Sequence, residues 1–145
     1  MVLAKIILEA KEFDQYTGVD LSFSQDAEKR ATVVKNILNV RGPFSPYADD
    51  LRKTIDNVMK YTELRHFFAH GLIVRPDPGN TSLSSKLRFR MYRMLKCGKL
   101  DDARRELTLK EYTDEQAGLT KAAREFQDVV RRLWTDLKLK QLDPE

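Results

Sequence analysis

The chain has few of the residues that build several common kinds of functional site. It contains one cysteine, one tryptophan, two histidines and six glycines in 145 residues. A single cysteine, Cys97, cannot form an internal disulfide, which favours a reducing compartment. No glycine-rich phosphate loop and no Ser-His-Asp arrangement is present, so the sequence does not predict a nucleotide-binding loop or a serine hydrolase.

Long apolar runs are also scarce. The stretch 3–8 is apolar, but Lys5 interrupts it, and Glu9, Lys11 and Glu12 follow it directly. Such a stretch is too short and too charged for a signal peptide or a membrane span. We therefore expect a cytoplasmic protein with no membrane partner.

The composition is that of a charged helical domain. Charged residues make up 33% of the chain, above the ordinary share of about 25%. Apolar residues recur at helical spacing in most of the sequence, and Thr108 with Glu111 forms a capping box before a helix of roughly 30 residues. We predict one domain, residues 1–145, with an all-α fold: an antiparallel bundle of about four main helices. The length of the last helix suggests that part of it packs on a partner chain.

A short β-like excursion is predicted to interrupt the bundle. Leu72, Ile73 and Val74 favour a strand, and residues 76–80 are dense in turn-forming types. Residues 86–93 then alternate between apolar and basic side chains, which is typical of a second strand. Two strands alone are only marginally stable, so we expect them to pack on the helices.

The run from Glu63 to Gly71 holds both histidines of the chain, His66 and His70, and also Arg65. Histidine exchanges a proton near neutral pH, and arginine is a natural bidentate partner of phosphate. His66 and His70 are four residues apart and would share one face of a helix. Arg65 and His70 are separated by roughly 140° of arc on a regular helix. A symmetric dimer would double this surface and could line one cleft with two copies of each residue.

The motif Arg65-His66-Phe67-Phe68-Ala69-His70-Gly71 resembles the R-x4-6-H signature of the HEPN superfamily (higher eukaryotes and prokaryotes nucleotide-binding domains). The resemblance rests on these seven positions and on the helical context around them. It implies a dimeric, metal-independent endoribonuclease without a cofactor. In that reading Arg65 stabilises the scissile phosphate, His70 transfers protons, and His66 orients the phosphate or the ribose. A role in defence or toxin-like growth control is implied, with RNA as substrate and an antitoxin or regulatory protein as a further partner.

Three alternatives stay open. Some members of the family are inactive and bind RNA or a protein partner as dimeric modules. The motif is also compatible with the buried end of a core helix, with His70 capping carbonyl groups. Finally, Glu63, His66 and His70 fall on one helical face and match part of the Glu-x-x-His pattern of di-iron bundles. That architecture needs further ligands, and Arg65 would disfavour a bound cation, so we predict no metal.

The segment 75–99 is strongly basic and contains one acidic residue, Asp77. Interleaved with Phe89 and Tyr92, its cations predict a track for an RNA backbone. The alternative is a solvated face whose arginines pair with acids on neighbouring elements. The RNA-binding residues that we predict are Arg75, Lys86, Arg88, Arg90 and Arg93.

Overall fold

The computed structural model describes residues 2–95 and 97–139, which divide into two compact units. Unit 1 comprises residues 2–59 and 123–139, and unit 2 comprises residues 60–122. The elements of the chain are α1 (Val2–Ala10), α2 (Ala27–Ile37), α3 (Ala48–Met59), α4 (Thr62–His70), β1 (Leu72–Val74), β2 (Lys86–Met94), β3 (Leu100–Thr108) and α5 (Leu109–Asp136). The helix α5 starts in unit 2 and ends in unit 1.

The prediction of an all-α fold is wrong. The described residues form five α-helices together with a three-stranded antiparallel sheet of order β1-β2-β3, so the fold is mixed α/β. The strands expected at 72–74 and from residue 86 are confirmed. The error lies in β3, whose nine residues were not predicted as a strand. With this third strand the sheet is a substantial part of unit 2 rather than a brief excursion.

Unit 1 is a helical core. Its fully buried side chains include Ile6 and Ile7 of α1, Val34 of α2, Leu51 of α3 and Leu133 of α5. The buried residues of each helix, such as Ala31, Val34 and Ile37 in α2, recur at three- or four-residue spacing, which is why each helix buries one stripe. The helix α2 is capped at its start by Asp26, whose side chain accepts hydrogen bonds from the backbone N–H groups of Glu28 and Lys29.

Unit 2 has a separate core between α4, the inner face of the sheet and the first turns of α5. Its buried members are Leu64, Phe67, Leu87, Phe89, Met91 and Leu107. In β2 the buried and exposed residues alternate, so one face of the sheet packs on the helices and the other is exposed.

The capping box predicted at the start of α5 is confirmed. The backbone N–H of Glu111 donates to the hydroxyl of Thr108 at 3.1 Å, and the Glu111 carboxylate accepts from the backbone N–H of Thr108 at 2.8 Å. These bonds satisfy donors that a helix start leaves without intrahelical partners. None of the helices in the described ranges is both long and apolar enough to cross a membrane.

The buried phenol of Tyr16 is a first test of the unit 1 core. Its oxygen accepts the backbone N–H of Phe44 at 2.9 Å, and both residues are fully buried. Tyr16→Phe removes this acceptor, so we expect the free energy of unfolding to fall by about 1–3 kcal/mol in urea titrations. Tyr47→Phe is the matched control, because the Tyr47 hydroxyl donates to Asp136 in an exposed hydrogen bond. Equal stability of the two variants would contradict this account.

The pH dependence of the same site has a definite sign. Burial raises the pKa of the Tyr16 phenol above its ordinary value of 10.0, and the hydrogen bond from Phe44 opposes the shift. The unfolded state therefore loses this proton first. The contribution of this raised pKa to the free energy of unfolding is fully present below pH 10.0. It is lost as the pH rises through the higher pKa of the folded state.

The last turn of α4 depends on the absence of a side chain at Gly71. The Gly71 N–H donates to the Phe67 carbonyl at 2.9 Å, and a Cβ at Gly71 would overlap that same carbonyl oxygen. Gly71→Ala must therefore displace backbone, and we expect it to destabilise unit 2 by about 1–3 kcal/mol. Hydrogen exchange of the amides at the end of α4 measures this. Gly79→Ala is the control, since a Cβ there meets only the Asp77 side chain at 3.7 Å; faster exchange in that variant alone would contradict the expectation.

Candidate functional site

The helix α4 buries one face and exposes the other. Leu64 and Phe67 are 2% exposed, and Phe68 packs against the same cluster. Phe68 also lies edge-on to Tyr112, with ring centroids 5.2 Å apart. These contacts fix the rotation of α4 about its own axis, because turning it would expose large apolar side chains.

The opposite face of α4 is exposed and mostly polar, and we call it the α4 arc. Its members are Glu63, Arg65, His66, Ala69 and His70, and all five are exposed. At about 100° per residue, their order around the helix is Arg65, Ala69, His66, His70 and Glu63. The alternative in which the motif is the buried end of a core helix is contradicted, since both histidines face solvent.

The two histidines are neighbours on this arc. Their ring centroids are 6.2 Å apart, with an angle of 72° between the ring planes. The helix is regular up to His70, and Gly71 then adopts an extended conformation. Because the helix does not loosen before His70, Arg65 stays at the far edge of the arc. Within one copy the structure brings His66 and His70 together but not Arg65 and His70.

Arg65 has no carboxylate partner within 4.0 Å among the described residues, although Glu63 is on the same helix. The arginines of the sheet are different, since most of them are ion-paired. A guanidinium without a partner keeps its donors available for an incoming anion. Ala69, which lies between Arg65 and His66 on the arc, has only a methyl side chain and so allows a ligand to approach the helix closely.

The predicted RNA-binding residues fall into two groups. Lys86, Arg88 and Arg90 lie on the exposed outer face of β2, each in an ion pair with a residue of β3. Arg93 occupies an inner-face position of β2 and forms an ion pair with Asp101 at 2.5 Å. Arg75 follows β1 and donates to the carbonyl oxygen of Asn80 at 3.0 Å. The five residues therefore do not form one continuous track.

Two carboxylates organise the outer face of the sheet. Glu106 accepts from Lys86 at 2.8 Å and from Arg88 at 3.0 Å. Asp102 accepts from Arg90 at 2.8 Å and from Arg104 at 2.6 Å. Hydrogen bonds from Arg90 and then Arg104 hold the pKa of the Asp102 carboxyl well below its usual range, and bonds from Lys86 and then Arg88 lower that of Glu106. Both carboxylates therefore stay ionised.

Arg104 is a residue of this face that the sequence reasoning missed. Four residues of its strand, β3, belong to the inner face of the sheet. Ala103 and Leu107 are apolar, and Asp101 and Arg105 are charged. Arg105 is accommodated there by an ion pair with Glu115 at 2.6 Å. Because of these two charged residues, β3 lacks the alternation of apolar and polar residues that predicts a strand. The feature that points to a hairpin is Gly98, a turn-forming residue with a φ of 77° in the connection between β2 and β3.

The metal alternative gains no support from the described part of the chain. Nowhere in residues 2–95 and 97–139 do three His, Cys, Asp or Glu side chains come together in an arrangement that could hold a metal ion. Glu63, His66 and His70 share a face of α4 but do not form such a group.

Comparison with known proteins leaves the motif as the sole basis of the family resemblance. Neither a protein-family model, nor a curated protein, nor a solved structure matches the chain. The assignment to the HEPN superfamily therefore stays a prediction based on Arg65, His70 and the residues between them.

Proposed function

We propose that this protein is a metal-independent endoribonuclease that acts as a dimer through Arg65, His66 and His70. The observation that carries the proposal is the α4 arc, in which two adjacent imidazoles and a guanidinium without a carboxylate partner among the described residues face solvent on one helix surface. These groups supply a proton acceptor, a proton donor and a fixed positive charge near neutral pH.

The reaction that these groups serve is transesterification within RNA. One imidazole removes the proton of a ribose 2′-hydroxyl, and the resulting oxygen attacks the adjacent phosphorus. The bond from phosphorus to the 5′-oxygen breaks, and that oxygen takes a proton from an imidazolium. Arg65 neutralises the charge that develops on the non-bridging oxygens. The products are a 2′,3′-cyclic phosphate and a 5′-hydroxyl, and the total number of protons is unchanged.

Two copies are needed to complete this arrangement. Within one copy Arg65 lies at one edge of the α4 arc, and His70 lies roughly 140° away from it, next to Glu63 at the other edge. A two-fold axis close to Ala69 would place Arg65 of one copy opposite His70 of the other, because an isologous interface brings each surface against its own counterpart. The small side chain of Ala69 permits that approach.

A non-catalytic dimeric module that binds RNA or a protein partner is the second candidate. The separation of Arg65 from His70 in a single copy favours it, since a binding surface does not require the two groups to converge. Both candidates use the same exposed arc, and cleavage assays separate them.

The first test is cleavage of a mixed RNA pool in EDTA. We expect wild-type protein to cut and to leave 2′,3′-cyclic phosphates, and His70→Ala to lose about 10²–10⁴-fold in rate because a general acid or base is removed. Arg65→Ala should lose about 10²–10³-fold through the missing charge stabilisation. Arg124→Ala is the control, an exposed arginine of α5. An all-deoxy substrate should resist cleavage. Cutting that persists in His70→Ala, or no cutting by folded dimeric wild type, would contradict the proposal.

The composite site makes a separate prediction for mixed dimers. Arg65→Ala and His70→Ala are co-expressed with different tags, and the heterodimer is purified through both. If each site takes Arg65 from one copy and His70 from the other, every heterodimer has one intact site of two, so the purified heterodimer should recover about one half of wild-type activity. A purified heterodimer that stays as inactive as the parent variants would place each site within one copy.

A further inference from the structure

The outer face of the sheet carries an excess of positive charge in a concave surface. Four cations, Lys86, Arg88, Arg90 and Arg104, share the two carboxylates Asp102 and Glu106. A depression of about 530 Å³ opens there, lined by Val74 of β1, by residues 88–90 of β2 and by residues 104–106 of β3. Arg88 and Arg104 keep about two thirds of their side-chain surface exposed, at 63% and 67%.

The ion pairs on this face do not block an anionic ligand. Exposed pairs of this kind contribute little to stability, because water screens both partners. Two positive charges are left over after the carboxylates are counted. An arginine that shares one carboxylate still has unused N–H donors in its planar fork, and these suit phosphate oxygens. A phosphate can therefore bind beside the carboxylates without either ion pair being lost.

An aromatic side chain extends the same surface. Tyr92 is 51% exposed and lies on the outer parity of β2, two residues beyond Arg90. The Arg90 guanidinium carbon is 4.8 Å from the centre of the Tyr92 ring. Arg90 thus keeps the ring in place against the strand, while the exposed part of the ring is available for stacking with an unpaired base.

We propose that this outer face binds single-stranded RNA, with Arg88, Arg90 and Arg104 on the phosphates and Tyr92 against a base. The choice of RNA as the ligand rests on the function proposed above. The choice of a single strand follows from Tyr92, because bases in a duplex are already stacked and an RNA duplex is read through its backbone and shape.

The edge strand β1 connects this face to the α4 arc. Leu72 of β1 is paired with Arg90, and His70 precedes Leu72 by two residues. Chain geometry therefore places the Cα atoms of His70 and Arg90 at most about 13 Å apart. The α4 arc faces away from the inner side of the sheet, so an RNA strand bound on the outer face reaches His70 by passing over the edge at β1. The outer face of the sheet thus holds the substrate one strand edge away from the proposed site.

The test is binding of a fluorescent single-stranded RNA to the full chain carrying His70→Ala, which keeps the probe intact. Fluorescence anisotropy across a salt series measures affinity. Arg88→Gln with Arg104→Gln should weaken binding at least tenfold at low salt and reduce the salt slope by about 1.4, the value for two lost phosphate contacts on a single strand. Arg124→Gln with Arg131→Gln is the charge-matched control on α5. Equal affinity of the two double variants would overturn the proposal.

A variant that is expected to bind RNA more tightly distinguishes a direct effect on binding from a general loss of structure. Glu106→Gln removes the carboxylate that competes for Arg88, so we expect it to strengthen binding, which no structural damage would do. Tyr92→Ala should weaken binding and Tyr92→Phe should preserve it, because stacking needs the ring and not the hydroxyl. A duplex of the same length should bind less tightly. Unchanged or weaker RNA binding by Glu106→Gln would overturn the proposed role of the outer face of the sheet.

These measurements are independent of catalysis. RNA binding that requires Arg88 and Arg104, in a protein whose wild type does not cut RNA, would support this inference and contradict the proposed endonuclease. Cutting that requires His70, combined with binding that ignores Arg88 and Arg104, would do the reverse. Circular dichroism and thermal melting of each variant establish that the fold is intact in both comparisons.

Discussion

The aromatic contact between α4 and the sheet is the constraint on which the candidate site depends. Phe67 and Phe68 lie against Phe89, with ring centroids 6.4 Å and 5.9 Å apart, and Tyr112 of α5 stacks on Phe89 from the same side. Burying these rings removes a large apolar area from water and leaves α4 one permitted orientation. The polar arc is exposed as a direct consequence. The apolar positions of the motif thus determine how its polar positions are presented.

Unit 2 has two exposed surfaces with arginine side chains, and they differ in how the arginine charge is balanced. On the α4 arc, Arg65 has no carboxylate partner in the described part of the chain, a state that suits transient contact with a developing charge. On the outer face of the sheet, each carboxylate is shared by two cations, which orders the side chains while leaving a positive excess. The first arrangement is the basis of the proposed cleavage of RNA, and the second is the basis of the proposed binding of single-stranded RNA. Gly71 joins them along the chain, since it ends α4 and leads directly into β1.

The error in fold class has a physical origin in β3. Strand prediction relies on alternating apolar residues, and on the inner parity of β3 two of the four positions carry charge. Asp101 and Arg105 are tolerated there because Arg93 and Glu115 pair with them. Such compensation comes from other segments of the chain and leaves no local signal. The strands β1 and β2, with ordinary apolar alternation or β-branched residues, were predictable.

Local sequence was sufficient for features whose partners lie within one helical turn. The spacing of His66 and His70 placed them on one face, and Thr108 with Glu111 marked the start of the last helix, because these contacts span three or four residues. The exposure of the α4 arc and the pairing of Arg90 and Arg104 with Asp102 required the tertiary structure. Both depend on packing and on strand register between segments distant in the chain, and a shift of one residue in that register would put Arg90 and Arg104 on opposite faces of the sheet.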